Sequence, residues 1–272
     1  MVEEQDRKSI DDATSLAPRL MYEVIRREGE EELERTMRSL VWSGIAAGIM
    51  ISASVLAEAI LRTHLPDTPG RYLIENFGYC LGFLLVIMGR LQLFTENTIT
   101  TVFPLVAEPT RAMLGRVLRL WAIVLAANVV GAFCAAALFV FTPAIPGDLL
   151  PAIGELSAHA LGFSPGVAFA RAIPAGVLVA ALVWMLPQAT SSSFWLIVTF
   201  TWLIAAGDFA HIVAGSVEMW FMLLTGATGP ADAVFAFFIP VFLGNVVGGT
   251  LIFAMMAWGQ VREEVEDADQ PD

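Results

Sequence analysis

The chain has 272 residues, 57% of them hydrophobic and 15% charged, with a formal net charge of −12 and a mean hydropathy of +0.69. A soluble domain carries about a quarter charged residues, so the composition describes a polytopic membrane protein, and the acidic balance speaks against a nucleic-acid partner. Cys80 and Cys134 both lie in apolar stretches, where thiols behave as small hydrophobes, so no disulfide framework is implied.

Residues 1–14 are polar, and the opening stretch is acidic, without the apolar region and cleavage site of a signal peptide. Residues 15–38 place Leu20, Met21, Val24, Ile25, Leu33 and Met37 at helical spacing among charged residues, with Gly29 a candidate interruption. This predicts an amphipathic helix at the membrane surface or against a neighbouring subunit, or a solvated leader. Six spans follow, each near the ~20 residues needed to cross the hydrocarbon core. They are predicted at about 40–61, 72–106, 115–141, 167–187, 194–226 and 232–258. The second and fifth are too long for one straight helix; their interrupted stretches are Gly89–Thr98, with the break expected at 95–98, and Gly207–Ser216. The division is a leader (1–38), a channel domain (39–258) and an acidic tail (259–272), which is expected to be irregular.

Basic residues beside the spans set orientation. Arg26, Arg27, Arg35 and Arg38 precede the first span, Arg111, Arg116 and Arg119 lie between the second and third, and loop 143–166 has no Lys or Arg. Both termini are therefore expected in the cytoplasm of a bacterial-type inner membrane, with 143–166 outside. Asn128-Val-Val-Gly131 recurs as Asn245-Val-Val-Gly248, 117 residues on. The polar breaks recur at nearly the same offset when Thr95 is matched to His211, 116 residues on. The fold class expected is all-α, with six transmembrane helices forming a 3+3 inverted repeat and helices 2 and 5 broken. Broken segments at matching places in two halves point to a transport site near the bilayer midplane.

Free backbone groups cannot face lipid, so each break must line protein or a water-filled cavity. Thr95, Asn97 and Thr98 offer hydroxyls and an amide there, and Gly207 and Gly215 flank the second break. His211 is the histidine that falls inside a span. An intramembrane ionisable group suggests function, and a neutral imidazole suits proton exchange with a weak acid; the alternative is a core histidine bonded to the backbone. No second histidine or cysteine sits at ligand spacing, so no metal or cofactor is implied. Arg90 and Glu96 flank the first break and are expected to pair with each other or across a subunit boundary. Asp208 and Glu218 flank the second break and are expected near a pore mouth, with Glu58 at the outer end of the first span. Ser216 has no Gly-x-Ser-x-Gly context and lies off the face of His211, so the chain does not read as an enzyme.

Six spans, a Leu93-Phe-Thr break in the second, a Gly207-x-x-x-His-x-x-Ala break in the fifth and Gly244-Asn-x-x-Gly-Gly in the sixth resemble the formate/nitrite transporter family, over roughly residues 38–258. The resemblance implies an aquaporin-like homopentamer embedded in membrane lipid, with one pore per subunit. It also implies permeants such as formate, nitrite, hydrosulfide or lactate. It carries the pore midpoint onto Thr95 and His211, hydrophobic constrictions onto Phe94, Ile204 and Phe83, and the sixth-span asparagine onto Asn245, with Asn128 its repeat mate. The sequence departs from the family pattern in four places. The vestibule lysine is absent, the chain's one lysine being Lys8. Gly176 replaces the fourth-span asparagine, Gly215 stands where asparagine is usual, and Arg90 and Glu96 are added. Three readings follow: a channel for a small weak acid or its anion, a small-cation channel of the same fold, and a membrane scaffold or sensor with a closed pore.

Overall fold

The computed structural model describes residues 16–268, and all regular structure among them is helical. The leader helix α1 (Pro18–Glu34) opens with proline at its first position, where a missing N–H costs nothing. Its buried stripe is Met21, Tyr22, Ile25, Gly29 and Leu33. It packs on its own chain, which neither a membrane-surface site nor a neighbouring subunit anticipates: Tyr22 lies 4.8 Å from the Phe103 ring and 5.1 Å from that of Trp258. Gly29 does not interrupt the helix. A Cβ there would fall 2.0 Å from the Thr100 carbonyl oxygen, so the glycine lets α1 lie against the first broken segment.

The first triplet consists of α2 (Met37–His64), then α3 (Arg71–Met88) continued past a break by α4 (Phe94–Thr100) and α5 (Val102–Ala107), then α6 (Arg111–Phe141). A helix α7 (Leu150–Leu161) follows. The second triplet is α8 (Pro165–Gln188), then α9 (Ser193–Ala206) continued past a break by α10 (Ile212–Leu224), then α11 (Pro230–Asp267). Five of these are long and apolar enough to cross a membrane. α3 is one of the five and is continued past its break by α4 and α5, and the shorter apolar helices α9 and α10 make up a sixth crossing between them, with spans two and five broken as predicted. Loop 143–166 contains α7, a helix that the sequence reading did not anticipate. The acidic tail is also more regular than expected, since α11 continues to Asp267 with an Arg262–Glu266 ion pair at 2.6 Å; residues 269–272 and 1–15 lie outside the described residues.

The triplets are built alike. Gly48 of α2 faces the Asn128 carbonyl oxygen, where a Cβ would fall at 2.1 Å, and Gly176 of α8 faces the Asn245 carbonyl oxygen at 2.3 Å. Gly131 meets the Ile45 oxygen at 2.2 Å, and Gly248 meets that of Ile173 at 2.1 Å. Such close backbone approach is how membrane helices gain packing energy without a hydrophobic drive between them. The missing fourth-span asparagine thus has a physical reason: position 176 is the counterpart of Gly48, and it has no room for a side chain.

The breaks lie at Gly89–Leu93 and Gly207–His211; the first is upstream of the expected 95–98, which is helical, and the second is shorter than 207–216. Arg90 (φ 50°) and Asp208 (φ 55°) are left-handed at matching steps, a conformation rare for non-glycine residues. Leu91 N bonds to Val86 O and Phe209 N to Ile204 O, at 3.0 and 2.9 Å. The register through the breaks is therefore 118 residues, not 116, and Leu93 is the repeat mate of His211.

Candidate functional site

Each break exposes backbone groups that one asparagine satisfies. Asn128 Oδ1 accepts from Phe94 N (2.9 Å), and its Nδ2 donates to the Gly44 and Gln92 carbonyls (2.9 and 2.8 Å). Asn245 Oδ1 accepts from Ile212 N (2.8 Å), and its Nδ2 donates to the Ala172 and Ala210 carbonyls (2.8 and 2.9 Å). Both asparagines are fully buried. Each ties the first N–H of a half-helix to the helix beside it, which fixes where that half-helix begins.

His211 is the N-cap of α10. Its Nδ1 accepts from Ala214 N at 3.3 Å, so in the neutral ring the proton is on Nε2. That N–H lies 2.8 Å from Thr95 Oγ1 and donates to it. The Thr95 hydroxyl hydrogen is left for another acceptor. Thr95 and His211 are 1% and 2% exposed, so the pair joins the two broken segments deep in the subunit. The Phe83 ring meets the imidazole edge-on, centroids 4.9 Å apart. The Phe94 ring lies tilted against Phe242 (centroids 5.5 Å apart) and edge-on to Trp121 (5.7 Å). Ile204 is buried in a second apolar cluster with Ile99, Ala175 and Val179. The Ser216 hydroxyl is committed to the Ile212 carbonyl at 2.7 Å.

A cavity of about 310 Å³ leads from the α7 end of the molecule down to His211. Its rim is charged. Arg62 bridges Glu75 (2.9 Å) and Glu155 (3.1 Å), and Arg71 also reaches Glu75 (3.3 Å). Asp208 pairs with Arg171 and, at 3.0 Å, with His159, and lies on the wall of this cavity. Arg171 also lies over the Phe163 ring at 4.1 Å. Glu58 and Glu218 line the same cavity. Phe237 lines it too, its ring packed where a Cβ on Gly215 would fall at 2.4 Å, so the glycine makes room for an aromatic wall. That wall sits in a π-helical stretch, Ala233–Phe238, a helix form that recurs at functional sites.

Arg90 and Glu96 do not pair. Arg90 is exposed and lies within electrostatic reach of Glu28 on α1. Glu96 lies close to Glu32 and Glu28, and its buried Oε1 has no hydrogen-bond partner among the described residues. The left-handed turn at Arg90 separates the two side chains. In place of that pair, Gln92 fastens the leader: its Nε2 donates to Glu32, and its Oε1 accepts from Asn97 Nδ2 at 3.3 Å. Sequence reasoning also missed Arg171, although a lone arginine inside an apolar run was a signal.

Two broken half-helices joined at a buried Thr–His contact, within paired helix triplets, define a membrane channel of the aquaporin-like kind. The family model for the formate/nitrite transporter matches residues 19–259, and the chain belongs to that family. It is 42% identical over 269 residues to the inner membrane protein YfdC of Escherichia coli K12, covering 97% of this chain and 87% of that one. It is 27% identical to the formate channel FocA of Haemophilus influenzae, covering 77% and 82%. Among solved structures, a pentameric formate channel with formate bound superposes with TM-score 0.71 at 22% identity (83% of this chain, 98% of that one). An FNT family ion channel superposes with TM-score 0.78 at 17% identity (88% and 98%).

Proposed function

We propose that the protein passes a small monovalent weak acid or its anion, of formate or nitrite type, through each subunit past the Thr95–His211 contact. The observation that carries this reading is the donor relay from His211 Nε2–H to Thr95 Oγ1, which frees the threonine hydrogen for a permeant oxygen. Phe83 and Phe94 supply the dry constrictions on either side. A small anion entering them loses hydration worth many kcal/mol, so the permeant crosses as the neutral acid while the hydroxyl supplies one of the hydrogen bonds that water gave up. In this reading Asn245 and Asn128 hold the half-helices in place. Ile204 stays a proposed constriction residue, supported only by its burial beside the Phe209 end of the second break. Residues 39–258 form the channel, and 1–38 and 259–272 the cytoplasmic leader and tail. The subunits form a homopentamer in the inner membrane with both termini in the cytoplasm.

Uptake of radiolabelled formate into proteoliposomes is expected to rise as outside pH falls and to be lost in His211→Ala. Uptake no higher than in empty liposomes at every pH overturns the reading. One observation favours a second reading, small-cation conduction: the cavity rim carries more carboxylates than arginines. Bilayer recordings in asymmetric KCl decide between them, because only a cation channel gives a reversal potential that follows the potassium gradient.

A further inference from the structure

Arg171 of α8 has a mate in the first triplet. It precedes Gly176 by five residues, as Ser43 of α2 precedes Gly48, and Gly48 and Gly176 are counterparts in the close packing of the triplets. Both residues serve the same backbone donor, two residues past the left-handed turn. Gln92 N donates to the Ser43 hydroxyl at 3.0 Å, and Ala210 N donates to the Arg171 carbonyl oxygen at 3.2 Å. In the second triplet the main chain meets that need, so the side chain at this position is released. It turns back onto the break itself. Arg171 Nη1 donates to the Asp208 carboxylate and, at 3.3 Å, to the Asp208 carbonyl oxygen. Asp208 is the left-handed residue of this turn; the matching Arg90 lies instead within electrostatic reach of Glu28 on α1.

The break that gains this clamp is the one that ends in His211. Asn245 holds Ala210 O and Ile212 N, at 2.9 and 2.8 Å, and Arg171 holds Asp208 and Ala210 N. The backbone on both sides of His211 is therefore tied to its neighbours. The other break ends in Leu93, whose side chain has only to fill space. An imidazole has to keep both a distance of 2.8 Å and a direction toward Thr95, because a hydrogen bond weakens steeply as its geometry drifts. We propose that Arg171 is a positioning residue for His211: by clamping Asp208 it fixes the second break so that the imidazole meets Thr95. Its effect on transport rests on the proposed weak-acid pathway, but the placement of the break is measured without transport.

The two breaks of one chain serve as each other's control. In Arg171→Met/Asp208→Asn the ion pair is lost with no change in net charge, and the methionine keeps an apolar stem beside Phe163. Amide hydrogen exchange of the full-length protein in detergent, read by mass spectrometry, is expected to quicken about tenfold across 208–212, an order-of-magnitude figure for losing one partly exposed ion pair, and to stay at the wild-type rate across 89–93. An unchanged rate at 208–212 overturns the proposal, and so does equal quickening at both breaks, which is general loosening. Because one nitrogen makes both bonds to Asp208, an ammonium can stand in for it, and Arg171→Lys is expected to exchange like the wild type; exchange as fast as in the double variant overturns the proposal. Formate uptake into proteoliposomes is then measured against formate concentration. The maximal rate is expected to fall about tenfold in the double variant, on the scale of a displaced reacting group, with the half-saturating concentration little changed. An unchanged maximal rate overturns the proposal, and a rise in the half-saturating concentration alone would mean that Arg171 acts on the permeant by charge. If the wild type takes up no formate while the two breaks still differ in exchange, the weak-acid pathway fails and the clamp on the second break stands.

Discussion

Thr95 and His211 are bound through one hydrogen bond, and each has a substitution that isolates it. Thr95→Val keeps the shape and removes the hydroxyl, so formate uptake is expected to fall at least tenfold, on the order expected for a preorganised donor, and Thr95→Ser is expected to restore it. Recovery by valine, or none by serine, would separate transport from this hydroxyl. Asn245→Ala is a different kind of change. It leaves the Ile212 N–H and two carbonyls without their partner. Buried polar groups cost about 1–3 kcal/mol each when left unpaired, so a lower midpoint of thermal unfolding in detergent is expected, with Asn128→Ala matching it. His211 was legible in the sequence because it is the histidine inside an apolar run. Its register was not, because matching the breaks by polarity paired it with Thr95. The true mate, Leu93, carries no chemical signal. Only the backbone bonds it shares with its counterpart reveal it.

At the level of elements, glycines decide which helices can touch. Gly176→Asn would restore the family's usual residue, yet a side chain there collides with the Asn245 carbonyl. Overpacking of this kind costs about 1–3 kcal/mol, and the variant is expected to unfold at lower temperature than wild type. Equal stability would mean that α8 and α11 can part freely. The leader has its own pH limit. Hydrogen bonds and charge from Arg26 and Arg27 hold the Glu23 carboxyl down at about 2, from an ordinary 4.5. A carboxyl depressed in the folded state stabilises it fully above its unfolded value and loses that contribution as pH falls toward its folded one. Protease sensitivity of α1 in detergent is therefore expected to rise between pH 4.5 and 2, and less so in Glu23→Gln, which lacks the group that titrates. The helix itself was legible from the spacing of Met21, Ile25 and Leu33, but its partner was not: periodicity says that a face is buried, not against what. α7 was missed for a related reason, since attention to the absent lysines and arginines of loop 143–166 passed over Pro151, which sits in the first turn of a helix.

For the molecule as a whole, the recurring Asn-Val-Val-Gly and the two overlong spans were enough to give two triplets with broken second members. The locations of the turns within those spans were not legible, because the polar residues 95–98 look like a break and are the start of α4. Assembly belongs to this scale as well. Chemical crosslinking of the purified protein in lipid nanodiscs is expected to give a ladder ending at five subunits; a ladder ending at two would remove the pentamer from the proposal.

Two features are repeated almost bond for bond across the triplets, the left-handed turn and the asparagine anchor, yet the residue that ends the turn is leucine in one copy and histidine in the other. A backbone that reads the same from both faces of the bilayer thus encloses a chemically handed centre. Solutes travelling in opposite directions meet the imidazole, the leucine and the acidic mouth in reverse order, so transport down equal and opposite gradients can saturate at different concentrations even though the two halves share one backbone plan.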